Sequence, residues 1–423
     1  MKAKLGLTDG IAVVVGNIIG AGVFAAPNLV ARHVPSDGWM LAAWLFAGLL
    51  VLCGVLAVAE LGGMMPSNGG FYRYLSEAYG PLTGFLSGWA TFLILYSGAL
   101  AWLCMTFANF LGYFIPLTPL ASKGVALALL SLFAIVNIRG LRQGVITQDV
   151  LTLLKLGGVL TVIAAAFFAP VHAPVAAVAV SAPSFGLALI GCLLTYDGWV
   201  TLSFAAGEME DPQRNLPRAL TIGIGIVIGL YLIANVAYMR VLTPAEIASS
   251  ERVAVSAVER AIGPAAGGLV AAAALFSIAG TVNGLLLSTP RLYQAMARDG
   301  LFFRSLTTPT NAIAAKAAWS ALLIVTGTYE TLGSFAMLSG YIFYGLTAAA
   351  VFVLRRREPD RPRPYRMWGY PVTPALFVLV SLAFILNTLR ETPVPAMAGI
   401  ALILAGVPAY AFWRKQLVEV SHG

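Results

Sequence analysis

The stretch GNIIGAGVFAAP, residues 16–27, decides how this chain is read. Gly16, Gly20 and Gly22 fall within seven positions of one apolar run, and Pro27 follows shortly after. The spacing Gly16-x-x-x-Gly20 suits close contact between membrane helices. The cluster Gly20-Ala21-Gly22 equally suits a helix that unwinds, leaving free carbonyls on its first half and free amides on its second. A related interruption lies further along, where Thr195-Tyr196-Asp197-Gly198-Trp199 sets a carboxylate and a glycine in another apolar run. Paired interruptions at corresponding positions of two halves point to a binding site near the middle of a membrane.

Composition names the solvent. The 423 residues are 59% hydrophobic and 10% charged, whereas soluble domains carry about 25% charged residues. Such a chain cannot cover its own surface in water and belongs in a lipid bilayer. Apolar runs fall at 8–32, 38–63, 82–115, 123–138, 146–169, 184–207, 218–240, 263–290, 312–327, 331–354, 372–389 and 395–413, separated by polar or Gly/Pro-rich turns. The expectation is an all-α integral membrane protein with 12 transmembrane helices. Five spans lie in 1–169, five in 184–354 and two more in 372–413, with spans 1 and 6 broken.

The net charge is +8. With an even number of spans both termini share a side, and that side carries nineteen Lys and Arg, including Lys2, Lys316 and the six arginines of 355–366, against six opposite. Basic residues collect in cytoplasmic loops, so both termini are expected in the cytoplasm. Topology thus explains the basic excess without nucleic acid, and explains 355–366 more simply than a site for anionic lipid. Cys53, Cys104 and Cys192 sit in apolar runs without paired spacing, and His33, His172 and His422 are scattered. No metal, no cofactor and no disulfide framework is expected. No nucleophile and base pair or phosphate loop appears in the spans, so an enzyme is not expected either. The first run lacks a cleavage site and is expected to serve as its own insertion signal.

One lysine is left over. Lys155 lies within TLLKLGGVLTVIAAAFFA, about nine residues into its run, which is roughly 13 Å along a helix and too deep for easy snorkelling. A charge at that depth normally faces a polar cavity or another helix. The breaks themselves suit a zwitterion. A half-helix beginning near Ala21 and Gly22 offers amides to a carboxylate, and half-helices ending near Ile18 and Leu194 offer carbonyls to an ammonium group. Such a ligand repairs backbone that hydrocarbon leaves unsatisfied.

The sequence resembles the amino acid–polyamine–organocation (APC) superfamily, and within it the L-amino acid transporter branch that contains the light chains of heteromeric amino acid transporters. The likeness rests on GNIIGAGVF at 16–24, PSNGGFYRYLSEAYG at 66–80, YDGW with GEMEDPQRNLPRA at 196–219, TVNGLLLSTPRLYQAMARDG at 281–300 and LRRREPDRPRPYR at 354–366. It implies a leucine-transporter-like fold, a 5+5 inverted repeat followed by two helices, and alternating access around a central amino acid site. By motif position, the carboxylate-binding amides are those of Gly20, Ala21 and Gly22, and the ammonium-binding carbonyls those of Ile18, Leu194 and Asp197. Lys155 stands where the branch commonly has a lysine, bridging the first span near Gly16 and the eighth near Ser277 in place of a sodium ion. Sodium independence follows from that resemblance, with the lysine acting either in proton symport or as a fixed strut compatible with exchange.

Two departures matter. Leu194 stands where the family often has a gating aromatic, which passes occlusion to Tyr196, Trp199 or another ring. Asp197 replaces a small residue and either selects cationic substrates or accepts local amide hydrogen bonds. Among other residues, Glu60 is expected to pair with Arg73, and GEMEDPQRNLPRA with ARDG at 297–300 when the inner gate closes. Asn109, Asn283, Tyr96, Tyr341 and Tyr344 are expected either in helix packing or along the cavity. Residues 112–125 hold no cysteine, so no disulfide-linked heavy subunit is expected, which suits a single-subunit permease of the bacterial inner membrane. The reading is a sodium-independent transporter of L-amino acids, neutral and small by preference. The alternatives are a carrier of cationic amino acids or amines and, outside the class, a channel.

Overall fold

In the computed structural model residues 4–169, 179–327 and 329–422 are described; Lys2 and His172, named above, lie outside them. The described elements are helices, joined by one isolated bridge between Leu5 and Met209. Among these residues nine helices are long and apolar enough to cross a membrane. Asp37–Met64 shows why: its sequence is apolar on every side, so it has no face to offer water. Pro81, Pro119, Pro212, Pro309 and Pro393 stand in the first turns of their helices, where the missing amide costs no intrahelical bond.

Two shorter apolar helices, Leu7–Ile18 and Ala182–Thr195, stop part-way along the first and sixth runs. The first resumes as a single turn, Gly22–Ala25, and then Pro27–His33. The sixth turns at Tyr196 and continues as a 3-10 stretch, Thr201–Glu208. Leu7–Ile18 packs against Leu141–Phe168, Pro212–Val241 and Gly267–Ser288, so the broken segment lies inside the bundle. Run-based reading passes over Phe71–Tyr79, Pro244–Ser249 and Val253–Ile262. These short helices lie in the loops, where no long apolar run marks them.

One end of the bundle is shut by the motifs quoted above. The backbone of Leu5 pairs with Glu208 and Glu210, and Gly69 N donates to Phe204 O. Arg73 meets Asp299 at 2.7 Å, Tyr72 donates to the same carboxylate at 2.6 Å, and Arg291 meets Glu208 at 3.1 Å. Burial first, and then the bond to Asp299, push the Tyr72 hydroxyl above its ordinary value, which keeps it a donor. Expectation and structure differ here. Asp299 of ARDG pairs with Arg73, and Glu208 of GEMED pairs with Arg291.

Glu60 does not meet Arg73. The chain reverses at Gly69 and Gly70, whose φ values are 127° and 48°, a region that favours glycine, and Arg73 ends beside Asp299. Glu60, 1% exposed, instead takes a two-pronged bond from Arg355 at 2.8 and 2.6 Å, a contact from Arg363 at 3.5 Å and the amide of Met367 at 2.8 Å. Arg361 is tied to Glu77 and Glu358. Three arginines of 355–366 thus lock the loop to the bundle.

Replacing a buried carboxylate that holds two arginines leaves their charges uncompensated. Glu60→Ala should lower stability by about 3 kcal/mol or more, read as a depressed melting temperature in detergent, with Glu60→Gln falling between it and the parent.

Candidate functional site

Where Leu7–Ile18 stops, Ile19 turns to ψ 89° and the carbonyls beyond Val15 lose their helical partners. Side chains from three helices replace them. Lys155 Nζ donates to Gly16 O at 2.6 Å and Ile19 O at 2.7 Å. Ser277 Oγ lies 3.0 Å from Ile19 O and 3.1 Å from Gly20 O. Thr281 Oγ1 lies 3.2 Å from Gly16 O and 3.3 Å from Ile19 O. Lys155 contacts the eighth run through Thr281, at 3.4 Å, one turn beyond Ser277. Lys155 and Ser277 therefore share Ile19 O as an acceptor.

The two breaks are joined by one hydroxyl. Tyr231, on Pro212–Val241, reaches Ile18 O at 3.0 Å and Thr195 O at 3.2 Å, the last carbonyls of the two interrupted helices. Gly198, at φ 103°, passes so close that a β-carbon there would lie 2.7 Å from Asn17 O. Only glycine accommodates both the conformation and the approach. Asn17 Nδ2 donates to Thr201 Oγ1 at 2.6 Å, and Thr201 Oγ1 to Gly198 O at 2.7 Å, completing the seam.

A cavity of about 540 Å³ lies against this seam. Its inner wall includes Ile18, Gly20, Ala21, Gly22, Leu194 and Asp197, and its mouth, at the end opposite Arg73 and Asp299, is rimmed by Asn28, Asn109, Glu251 and Arg252. Gly20 N donates to Ile18 O at 2.8 Å. Among the described residues the amides of Ala21 and Gly22 meet no acceptor, so the start of the second half-helix presents donors to the cavity. Leu194 O accepts from Asp197 N at 3.4 Å, and Ile18 O from Tyr231.

Asp197 sits in the wall, its Oδ1 accepting from Tyr344 at 2.6 Å. Tyr96 Oη lies 3.0 Å from that of Tyr344, and Tyr96 also lines the cavity. Tyr196 and Trp199 do not line it. The Tyr196 ring is buried behind the break against Trp44 and Tyr231, and Trp199 packs on Tyr344 and Phe377. Tyr341 stacks on Phe384 at 4.0 Å. Asn109 is at the mouth, whereas Asn283 bonds Gln148 and Gly144 O between helices. Among the described residues no cluster of metal ligands occurs.

Sequence reasoning missed Tyr231, Thr281 and Lys316. Lys316, counted above with the loops, is 0% exposed within Pro309–Thr326. A signal existed for the first two. Tyr231, Asn235 and Tyr238 form an i, i+4, i+7 polar stripe on an apolar helix, and Ser277 with Thr281 repeats at i, i+4.

Apolar helices broken at a shared internal cavity define a membrane transport protein rather than a soluble one. The sequence model described as amino acid permease matches residues 5–410, and the chain belongs to that family, within the APC superfamily and related to the light chains of heteromeric amino acid transporters. It is 32% identical to the serine/threonine exchanger SteT of Bacillus subtilis over 98% of both chains. It is 32% identical to the large neutral amino acids transporter small subunit 2 of Homo sapiens, over 98% of this chain and 82% of that one. The human b(0,+)-type amino acid transporter 1 is 30% identical, over 97% and 88%.

Gly198→Ala should abolish stabilisation of the purified protein by added amino acids in a thermal-shift assay, because its β-carbon strains the seam. Gly225→Ala, where a β-carbon meets open space, should leave that response intact. Tyr231→Phe strands the buried Thr195 carbonyl and takes one of two donors from Ile18 O, and should cost about 1–3 kcal/mol of stability.

Proposed function

We propose that this chain is a sodium-independent carrier of small neutral L-amino acids, working by alternating access. The observation that carries the reading is the asymmetry of the first break. Its carbonyl side is already satisfied by Lys155, Ser277, Thr281 and Tyr231, while its amide side, at Ala21 and Gly22, faces a cavity without a protein acceptor among the described residues. A carboxylate fits those amides. The substrate ammonium then lies towards Ile18, Leu194 and Asp197.

The same reading assigns 12 spans, an inverted repeat of 1–169 and 184–354, and two further spans in 372–413. Both termini lie in the cytoplasm of a bacterial inner membrane, so the mouth at Asn109 and Arg252 faces outward. Lys155 occupies carbonyls that a cation would otherwise need, which supports sodium independence by direct repulsion. The names of the relatives, a serine/threonine exchanger and a large neutral amino acid transporter, support neutral substrates and favour exchange over proton symport. A second reading, transport of cationic amino acids, is favoured by Asp197 in the cavity wall. No disulfide-linked heavy subunit enters this proposal.

In proteoliposomes, labelled alanine should enter faster than leucine and far faster than arginine, independently of sodium. Internal unlabelled alanine should raise the rate severalfold, with no added effect of a pH gradient. Dominant arginine uptake overturns the neutral assignment, conductance without saturation overturns the carrier, and a pH-driven rise without trans-stimulation replaces exchange with proton symport.

A further inference from the structure

Lys316 is the second buried lysine of the bundle, seven positions into Pro309–Thr326 and about 10 Å from its start. Its ammonium is hydrogen-bonded to Thr289 Oγ1 and lies 5.8 Å from the centre of the Tyr96 ring. Among the described residues no carboxylate approaches within ion-pair distance of it. The surrounding polar groups are neutral: Ser320 donates to Ser97 O at 3.2 Å, and Tyr293 to Thr91 O at 3.2 Å. A buried cation with one hydroxyl partner and an aromatic face is costly unless opposite charge lies within unscreened reach.

The carboxylate that a chain of contacts links to it is Asp197. Tyr344 donates its proton to Asp197 Oδ1 at 2.6 Å, so across the 3.0 Å contact Tyr96 is the donor to Tyr344. The chain carboxylate, Tyr344 hydroxyl, Tyr96 hydroxyl, Tyr96 ring, ammonium is continuous, and it runs from the cavity wall to the helix behind it. Lys155, bonded to the carbonyl end of Leu7–Ile18, has no such path of contacts to this carboxylate among the described residues. Glu251 and Arg252, at the mouth, are adjacent residues of opposite sign. In a water-poor interior, charges that do not touch still interact, because mobile ions screen them little.

We propose that Lys316 is the counter-charge of Asp197 across Tyr96 and Tyr344, and that this couple sets the cavity's preference for amino acids without net side-chain charge. The inference rests on the transport reading and refines it. Asp197 presents a hydrogen-bonding carboxylate to the substrate ammonium, while its longer-range field is cancelled from behind the wall. Lys316 is a positioning and specificity residue that does not itself touch the substrate.

The test is competition of unlabelled arginine, alanine and glutamate against labelled alanine in proteoliposomes. Alanine uptake by the parent protein tests the transport reading alone; its absence there sinks that reading and leaves selectivity to be read by thermal shift with the same three amino acids. Lys316→Met should raise the potency of arginine relative to alanine on the order of fivefold to tenfold, Lys316→Arg should keep the parent ratio, and Asp197→Asn in the Lys316→Met background should return it. Should Lys316→Met fail to fold, Lys316→Gln, which keeps a hydrogen-bonding side chain without the charge, takes its place with the same expected rise in arginine potency. An unchanged ratio in folded Lys316→Met, or in folded Lys316→Gln where it stands in, overturns the proposal.

Discussion

A helix cut open inside hydrocarbon exposes carbonyls and amides that no solvent can reach, and each must find a partner in the protein or in a ligand. The first break of this chain obeys that constraint unevenly. Four side chains, Lys155, Ser277, Thr281 and Tyr231, close on the carbonyls of Gly16, Ile18, Ile19 and Gly20. The amides of Ala21 and Gly22 are left for whatever occupies the cavity. Much else follows from this division. It requires polar side chains at helical spacing on otherwise apolar helices, and glycines where two backbones approach closely. It also lets a site for a charged molecule be built with few ionised groups.

The frame around the site uses charge differently. Glu60 gathers Arg355, Arg363 and the Met367 amide, tying Asp37–Met64 to the segment after Tyr329–Arg357. The arginines of that segment fasten it to the bundle. Near the cavity, by contrast, Asp197 and Lys316 stand apart and are linked through two tyrosines. On the proposal made above, that arrangement separates the sign felt by a substrate from the hydrogen bonds offered to it.

Much of this was legible in the sequence. Low charge content placed the chain in a membrane, and the glycine clusters located both breaks to within a residue or two, because an unwound helix has a local composition. Lys155 announced itself as a cation too deep to explain by topology. Pairings across the sequence were less legible. Glu60 and Arg73 are near neighbours along the chain, but the turn at Gly69 and Gly70 sends them to different partners. Tyr196 and Trp199 sit at the break by number, yet the turn there directs both rings into packing. Lys316 was hidden because its run begins beside a loop, and only the tertiary fold shows that Thr289 and Tyr96 cover it.

The closed end of the bundle has a consequence for energetics. One of its clamps, Arg73 on Asp299, keeps 37% and 30% of the two side chains in contact with solvent, and ion pairs so exposed contribute little to stability, whereas Arg291 on Glu208 is mostly buried. On the transport reading proposed above, the exposed pair is the part of that end which can open at little cost. A ligand can shift two forms only by its differential affinity for them, so an end that opens cheaply asks less of what binds. In a carrier coupled to no other gradient, this clamp then affects only how fast the substrate crosses, and the direction of net flow is left to the concentrations on the two sides.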